Sequence, residues 1–303
     1  MINSSSTVSM DKKSNPIDFT KTTMRLNLHK ILVPLEGSLN SELCLPYASM
    51  LSRWFGGEIT LLHVLPANPI AEVERTGRVS YPDAQHDRGE VLARSYLEGI
   101  IDVIAPQGIQ ARWGISTGRE SEMILSRLKS GAMGIITMAI SSKSGIRKLF
   151  APDVLDQIYK KASVPILVIN GSNIRPKTQV PKQPNNLLIP MYNKFATTNI
   201  NRIIALSIAS KAKMLFIHKN NKSKFVTSGM TELLNATHSD YEIITVNKNI
   251  VSKTLNLQKE HNDSWIISTT SIRTGFNRLL FRGFSNQILE SSSCPLLLLP
   301  NSN

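Results

Sequence analysis

Cysteine is nearly absent: Cys44 and Cys294 are the only two in 303 residues, both among apolar neighbours. So sparse a supply excludes a disulfide-stapled scaffold, and the pair lacks the close spacing of a zinc site. Both read as buried free thiols of a reducing compartment. Long apolar runs are missing too. No uncharged stretch approaches the roughly 20 residues that a membrane-crossing helix needs. Residues 1–28 are rich in Ser, Thr and Lys but hold no apolar segment followed by a cleavage site. They read as a disordered tail, not a secretory signal. Asp11 and Asp18 count against an organelle address, so the cytoplasm is the expected compartment.

Acid is in short supply: Lys and Arg number 35 against 22 Asp and Glu, a net charge of +13. The excess is uneven, with 15 basic and 14 acidic residues in 29–172, 3 and none in 173–186, and 13 and 6 in 187–303. A surplus of this kind favours anionic partners in general. Yet aromatics make up only 6% of the chain, and no basic stretch is interleaved with them or forms an RNA-reading motif. The surplus reads as solvated surface, and nucleic acid is not the expected partner.

What is present is a duplication. Ile31-Leu-Val-Pro34 returns as Leu187-Leu-Ile-Pro190, and Lys143-Ser144-Gly145 returns as Arg273-Thr274-Gly275. From Gly145 to the strand opening at Pro165 is 20 positions, and from Gly275 to the strand opening at Pro295 is 20 again. Such self-similarity implies two related units. The expected division is a first domain at 29–172, a linker at 173–186 with three prolines and no acid, and a second domain at 187–303. The second is about 25 residues shorter, and the polar excursion at 66–83 is the obvious source of the difference.

Within each unit, short strands that are apolar throughout alternate with helical patterns. In the first, strands are expected at Lys30–Leu35, Glu58–Val64, Ile109–Ile115, Gly134–Met138 and Pro165–Ile169. Helices are expected from Ser41 to Phe55, from Gln85 to Ile104, from Glu120 to Leu128 and over about 152–162. The alternation calls for an α/β fold: two Rossmann-like domains, each a five-stranded parallel sheet with helices on both faces.

In such sheets ligands bind beyond the carboxyl ends of the strands. The candidate walls are Leu35–Ser38, His63–Pro66 and the loop from Ala139 to Pro152. Ser141-Ser142-Lys143-Ser144-Gly145 has the small residues of an anion-binding nest. His63 and His218 repeat at equivalent places but lack an acid or nucleophile partner in the pattern, so they read as packed histidines bonded to nearby backbone. Gly118-Arg119-Glu120 reads as a turn into a helix, and Asp153 and Asp156 as first-turn carboxylates.

The order ILVPLEGS, ITLLHVLP and GIITMAISSKSGIRKLFAPDVLDQIYKKASVPILVI resembles the universal stress protein family, and the resemblance extends over both copies. It implies an adenine nucleotide alpha hydrolase-like fold, often paired through the last strand, here as an internal pseudo-dimer joining Pro165–Ile169 to Pro295–Leu299, with homodimerisation also open. It also implies ATP or AMP as the ligand class, with an acid after the first strand on the nucleoside and a G-x2-G-x9-G-[S/T] loop on the phosphates.

On that basis the candidate nucleotide-binding residues are Pro34, Glu36, Val64, Ala139, Ser142, Lys143, Ser144 and Gly145. The chain departs from the loop pattern, however. The three glycines fall on Ala139, Ser142 and Pro152, with Asp153 at the hydroxyl position. In the second copy they fall on Thr269, Ile272 and Arg282, and the nucleoside acid becomes Tyr192. A Cβ blocks close approach of phosphate, and proline removes a donor. No catalytic residue and no metal site is expected. The resulting expectation is a non-catalytic scaffold or interaction module of a stress response, with an unidentified protein partner. The alternatives are a nucleotide-dependent switch or weak ATPase in the first domain, and nucleic-acid association through the second.

Overall fold

The computed structural model describes residues 26–67, 72–73, 79–80, 82–140, 152–171, 181–191, 196–219, 228–247, 249–261, 263–270 and 286–300. The first-half strands are β1 (Lys30–Pro34), β2 (Glu58–Leu65), β5 (Gln110–Thr117), β6 (Ile135–Ile140) and β7 (Ile166–Asn170). Those of the second half are β8 (Asn186–Met191), β9 (Lys213–Lys219), β10 (Tyr241–Val246), β11 (Ser264–Thr270) and β12 (Leu296–Pro300). All ten join one sheet in the order β10-β9-β8-β11-β12-β7-β6-β1-β2-β5. Each half is parallel and has the same internal order, as the alternation of strands and helices requires.

The halves meet where β7 and β12 pair antiparallel, Ile166 with Leu298, Leu167 with Leu297 and Val168 with Leu296. Ile136 pairs with Ile166 in one half as Ile266 pairs with Leu296 in the other, so Leu167 and Leu297 are equivalent residues. They also face each other. The pseudo-twofold axis therefore runs between these two leucines, and the expected five-stranded sheets are hydrogen-bonded into one of ten.

Helices cover both faces. On one lie α1 (Leu45–Phe55), α2 (Pro82–Ile104), α5 (Thr197–Ser210) and α6 (Ser228–Ala236). On the other lie α3 (Glu120–Ser130), α4 (Pro152–Lys161), α7 (Ile250–Glu260) and α8 (Asn286–Ser291). Helix α1 has Pro46 in its first turn, where no N–H is needed, and stops at Gly56 with φ 57°. The equivalent stop after α5 is Lys211 at φ 55°, a left-handed position that costs a residue with a Cβ about 1 kcal/mol or more.

Each apolar cluster contains residues of both halves. The clearest link is Trp265 on β11. It is 1% exposed, and its ring lies 5.5 Å from Trp54 and 6.1 Å from Tyr47, both on the first half's α1. Asn170 at the end of β7 donates to the Leu289 carbonyl of α8, a second tie across the seam.

Three details differ from the sequence reading. Leu28, expected in the tail, is buried in the core. The segment Asn27–His29 runs so close to the sheet that a Cβ on Gly134 would lie 1.6 Å from the Asn27 carbonyl oxygen, and one on Gly57 2.3 Å from that of His29. The excursion after β2 contains a small hairpin, β3 (Glu72–Val73) with β4 (Val79–Ser80). The shortening of the second half also falls largely on the second helix, which has 23 residues in α2 and 9 in α6. The tail at 1–25 lies outside the described residues, while Gln183 and Asn185 of the linker bond to Ser210 and Asp263 of the second half.

With a core common to both halves, denaturant unfolding is expected to be one transition whether followed in the first half or the second. Trp265→Ala should lower stability by about 3–5 kcal/mol and keep a single transition. Equilibrium unfolding with probes in each half checks both statements; two separated transitions would contradict the common core.

Candidate functional site

Strand β1 pairs with β2 along five residues but with β6 only through Ile31–Ile135 and Leu32–Ile136. Past Leu32 the two strands no longer pair, and it is there, at the carboxyl end of the sheet where the strand order reverses, that an open α/β sheet has its ligand crevice. The second half does the same, β8 pairing with β11 only through Asn186, Leu187 and Leu188.

The turn after β1 forms one wall. Leu35 N–H donates to the Leu62 carbonyl at 2.8 Å, which holds the turn against β2. Gly37 then takes φ 91°, a conformation that a side chain would strain. A Cβ there would also meet the His63 ring, at 3.8 Å. Ser38 turns back: its Oγ donates to Glu36 Oε1 at 2.7 Å and accepts from Ser41 N–H at 3.1 Å. Glu36 is thus held by a local network on an otherwise open turn. Burial pushes its carboxyl up to about 7 against the opposing Ser38 hydrogen bond, and the like charge of Glu120 pushes the same way.

Pro34 is buried and paired with Leu62, and Val64 is half-buried against the apolar cluster beneath α3. Ala139 is fully buried and paired with Ile169, its methyl in the cluster beneath α1. The structure therefore gathers Pro34, Glu36, Val64 and Ala139 at one end of adjacent strands. Ser142, Lys143, Ser144 and Gly145 lie outside the described residues, as do Ile272, Arg282 and Tyr192 of the second copy.

His63 Nδ1 donates to the Leu35 carbonyl at 2.8 Å, and burial lowers its pKa, so the neutral ring serves as a strut for the turn. His218 donates from Nδ1 to the Lys219 carbonyl at 3.0 Å and accepts from Thr245 Oγ1 at Nε2, 3.1 Å away. Both histidines are engaged with nearby backbone. Burial pushes the Cys44 and Cys294 thiols up to about 12, which leaves them as unreactive packing groups.

Sequence reasoning missed Glu120. It treated Gly118-Arg119-Glu120 as a turn, and a turn it is, with Gly118 N–H on the Leu65 carbonyl at 2.9 Å. That bond ties the end of β5 to the end of β2 and brings the start of α3 close enough for Glu120 to act on Glu36. The available signal was topological: parallel neighbours end side by side.

Among the described residues there is no helix long and apolar enough to cross a membrane, and no group of three or more His, Cys, Asp or Glu placed to hold a metal ion.

Comparison with known proteins agrees with this architecture. The universal stress protein family matches residues 27–170. The universal stress protein YxiE of Bacillus subtilis (strain 168) is 26% identical over 145 residues, which are 46% of this chain and 98% of that protein. The crystal structure of a universal stress protein from Archaeoglobus fulgidus DSM 4304 superposes on 90% of this chain and 98% of its own, with a TM-score of 0.70 at 16% identity. A functionally unknown protein from Pseudomonas aeruginosa PAO1 covers 92% of this chain and 94% of its own, with a TM-score of 0.59 at 15% identity. At these identities the two structures speak for the fold alone, and they do so across both halves. Residues 27–170 thus carry a universal stress protein family domain, and the rest of the chain repeats that domain's strand order.

Proposed function

We propose that this chain is a non-catalytic interaction module of a cytoplasmic stress response, its two halves locked as an internal pair and its nucleotide sites lapsed. The observation that carries the reading is the loss of glycine where a phosphate loop needs it, at Ala139, Ser142 and Pro152 in one half and at Thr269, Ile272 and Arg282 in the other. Ala139 supports it from the structure, because its methyl is packed into the core instead of leaving backbone open to a ligand. In the family's loop pattern Asp153 stands at the hydroxyl position, and a carboxylate there would repel a phosphate by about 1 to 4 kcal/mol depending on screening. The sheet, by contrast, is fully retained in both halves. Selection for a body without its cradle fits a protein that works through its surface.

One observation favours a second reading, a nucleoside-responsive switch in the first half. Glu36 is still an acid, held by Ser38 at the mouth of the crevice with its carboxyl near 7. Hydroxyl donors of a nucleoside would favour its ionised form.

Calorimetric titration of the full-length chain with Mg-ATP, AMP and cyclic AMP separates the two. The interaction-module reading expects no saturable heat at ligand concentrations below about 1 mM. A micromolar dissociation constant, lost in Glu36→Ala and Lys143→Ala, would overturn it in favour of the switch.

Glu36 also gives a pH signature. Folded, it keeps its proton up to about 7, against 4.5 for its ordinary value. Between those limits the folded state holds the extra proton, so this group makes stability fall as pH rises from 4.5 to 7 and leaves it level above. Glu36→Gln should flatten that slope and gain about 1–2 kcal/mol at pH 8, after allowance for solvent screening at a half-exposed site. Denaturation midpoints of both proteins across pH 4 to 9 check it.

A further inference from the structure

Strands β5 and β10 stand at the two ends of the sheet, and among the described residues nothing pairs with their outer sides. An edge strand directs alternate N–H and C=O groups outward, a template for another extended chain. Strand β5 stays in register with β2 over all eight residues, Gln110–Thr117, with no proline, lysine or bulge to blunt the edge.

The pseudo-twofold axis relates the two edges, yet what lies beside them differs. His63 pairs with Ile115 as His218 pairs with Thr245, so Gly114 is the counterpart of Ile244. Helices α3 and α7 both have 11 residues, which makes Arg127 the counterpart of Leu257. In the second half Leu257 is buried and Ile244 packs against the same apolar cluster. The first half has a glycine and a guanidinium in their place.

The strand itself does not need glycine at 114. An added Cβ would meet only Arg127 Nη2, at an ordinary contact distance of 3.9 Å. A glycine inside a strand often marks where another backbone approaches closely. Arg127 is half-buried, and its Nε is shut off from solvent without a hydrogen-bond partner. The neighbouring cations are already matched, Arg112 with Glu58 at 2.6 Å and Arg94 with Glu90 at 3.6 Å. Among the described residues Arg127 has no carboxylate in ion-pair range. It is a cation left over beside a notch in an open edge. On the other face of β5, the Trp113 ring is capped by Arg94 at 5.7 Å and offers a flat apolar contact.

We propose that β5 is a docking edge for an extended acidic peptide of a partner protein, added as a further strand with an Asp or Glu side chain over Gly114 against Arg127. The main-chain ladder supplies the attachment and the carboxylate the selectivity. The proposal rests on the interaction-module reading for the existence of a protein partner, and not on the state of the crevice.

Amide NMR of the full-length chain, titrated with a short blocked peptide of alternating threonine and valine with one central glutamate, tests it. Saturable shifts are expected along Gln110–Thr117, with a dissociation constant of roughly 0.1–1 mM, because a lone strand loses much of its contact energy in being ordered. The same peptide with lysine at its centre should bind at least about tenfold more weakly, and alternate N-methylation on the pairing side should abolish binding. Gly114→Ile with Arg127→Leu copies the Ile244 and Leu257 of the second half, so it should keep the thermal midpoint and lose the preference for glutamate. No β5 shifts up to about 5 mM peptide would overturn the proposal. So would equal affinity for the two peptides, or a glutamate preference that survives the double substitution. Concentration-dependent β5 shifts without peptide would give the edge to a second copy and overturn it too. Tight nucleotide binding, which sinks the interaction-module reading, leaves the β5 shifts in place; missing β5 shifts without nucleotide heat sink the edge alone.

Discussion

Two strands running in opposite directions, β7 and β12, hold this molecule in one piece. Their backbone ladder is short, and a short ladder is weak by itself. It becomes a firm joint because every residue in it is buried and because α1 and α5 are packed over it, with Trp265 wedged against Trp54 and Tyr47. A sheet of five parallel strands would otherwise end in a row of unpaired N–H and C=O groups at its last strand. Here each half satisfies the other's edge. The axis between Leu167 and Leu297 is the point from which the rest of the geometry follows.

The joint frees the two crevices to diverge. In a dimer of identical chains both sites would have to change together; in a fused pair each can change separately. The first half retains an acid at the turn after β1, and the second has a tyrosine there. At the positions that match the family's phosphate-loop pattern, neither has the glycines. What persists in both is the part that makes the sheet: buried aliphatic strands and the struts His63 and His218, each tied to nearby backbone. Structural need accounts for those histidines without any appeal to proton transfer.

Much of this was legible in the chain itself. Apolar runs locate the five strands of the first half, and the repeated interval of 20 residues places the two closing strands in equivalent positions. The resemblance to a known family supplied the pairing of last strands, which periodicity cannot reveal. Other features left no local signal. The hairpin of Glu72–Val73 with Val79–Ser80 is too short for alternation to show. The approach of Glu120 to Glu36 joins residues 84 positions apart through the alignment of strand ends. Trp265 looked like any strand residue, since its partners sit on the other half's helix. Leu28 follows a polar tail and reads as part of it, although the backbone on either side of it, at Asn27 and His29, runs against Gly134 and Gly57.

The claim on which the rest depends is that Leu167 and Leu297 of one and the same chain lie side by side. Replacing both with cysteine tests it directly, since directly opposed residues in an antiparallel pair fall within the roughly 4.4–6.8 Å Cα separation that a disulfide spans. On mild oxidation, with the bridge mapped by mass spectrometry, the account expects a 167–297 disulfide within single chains, and none when Val168 replaces Leu167 as the partner, because Val168 points to the opposite face. Failure of the 167–297 bridge, or its formation only between separate chains, would contradict the account.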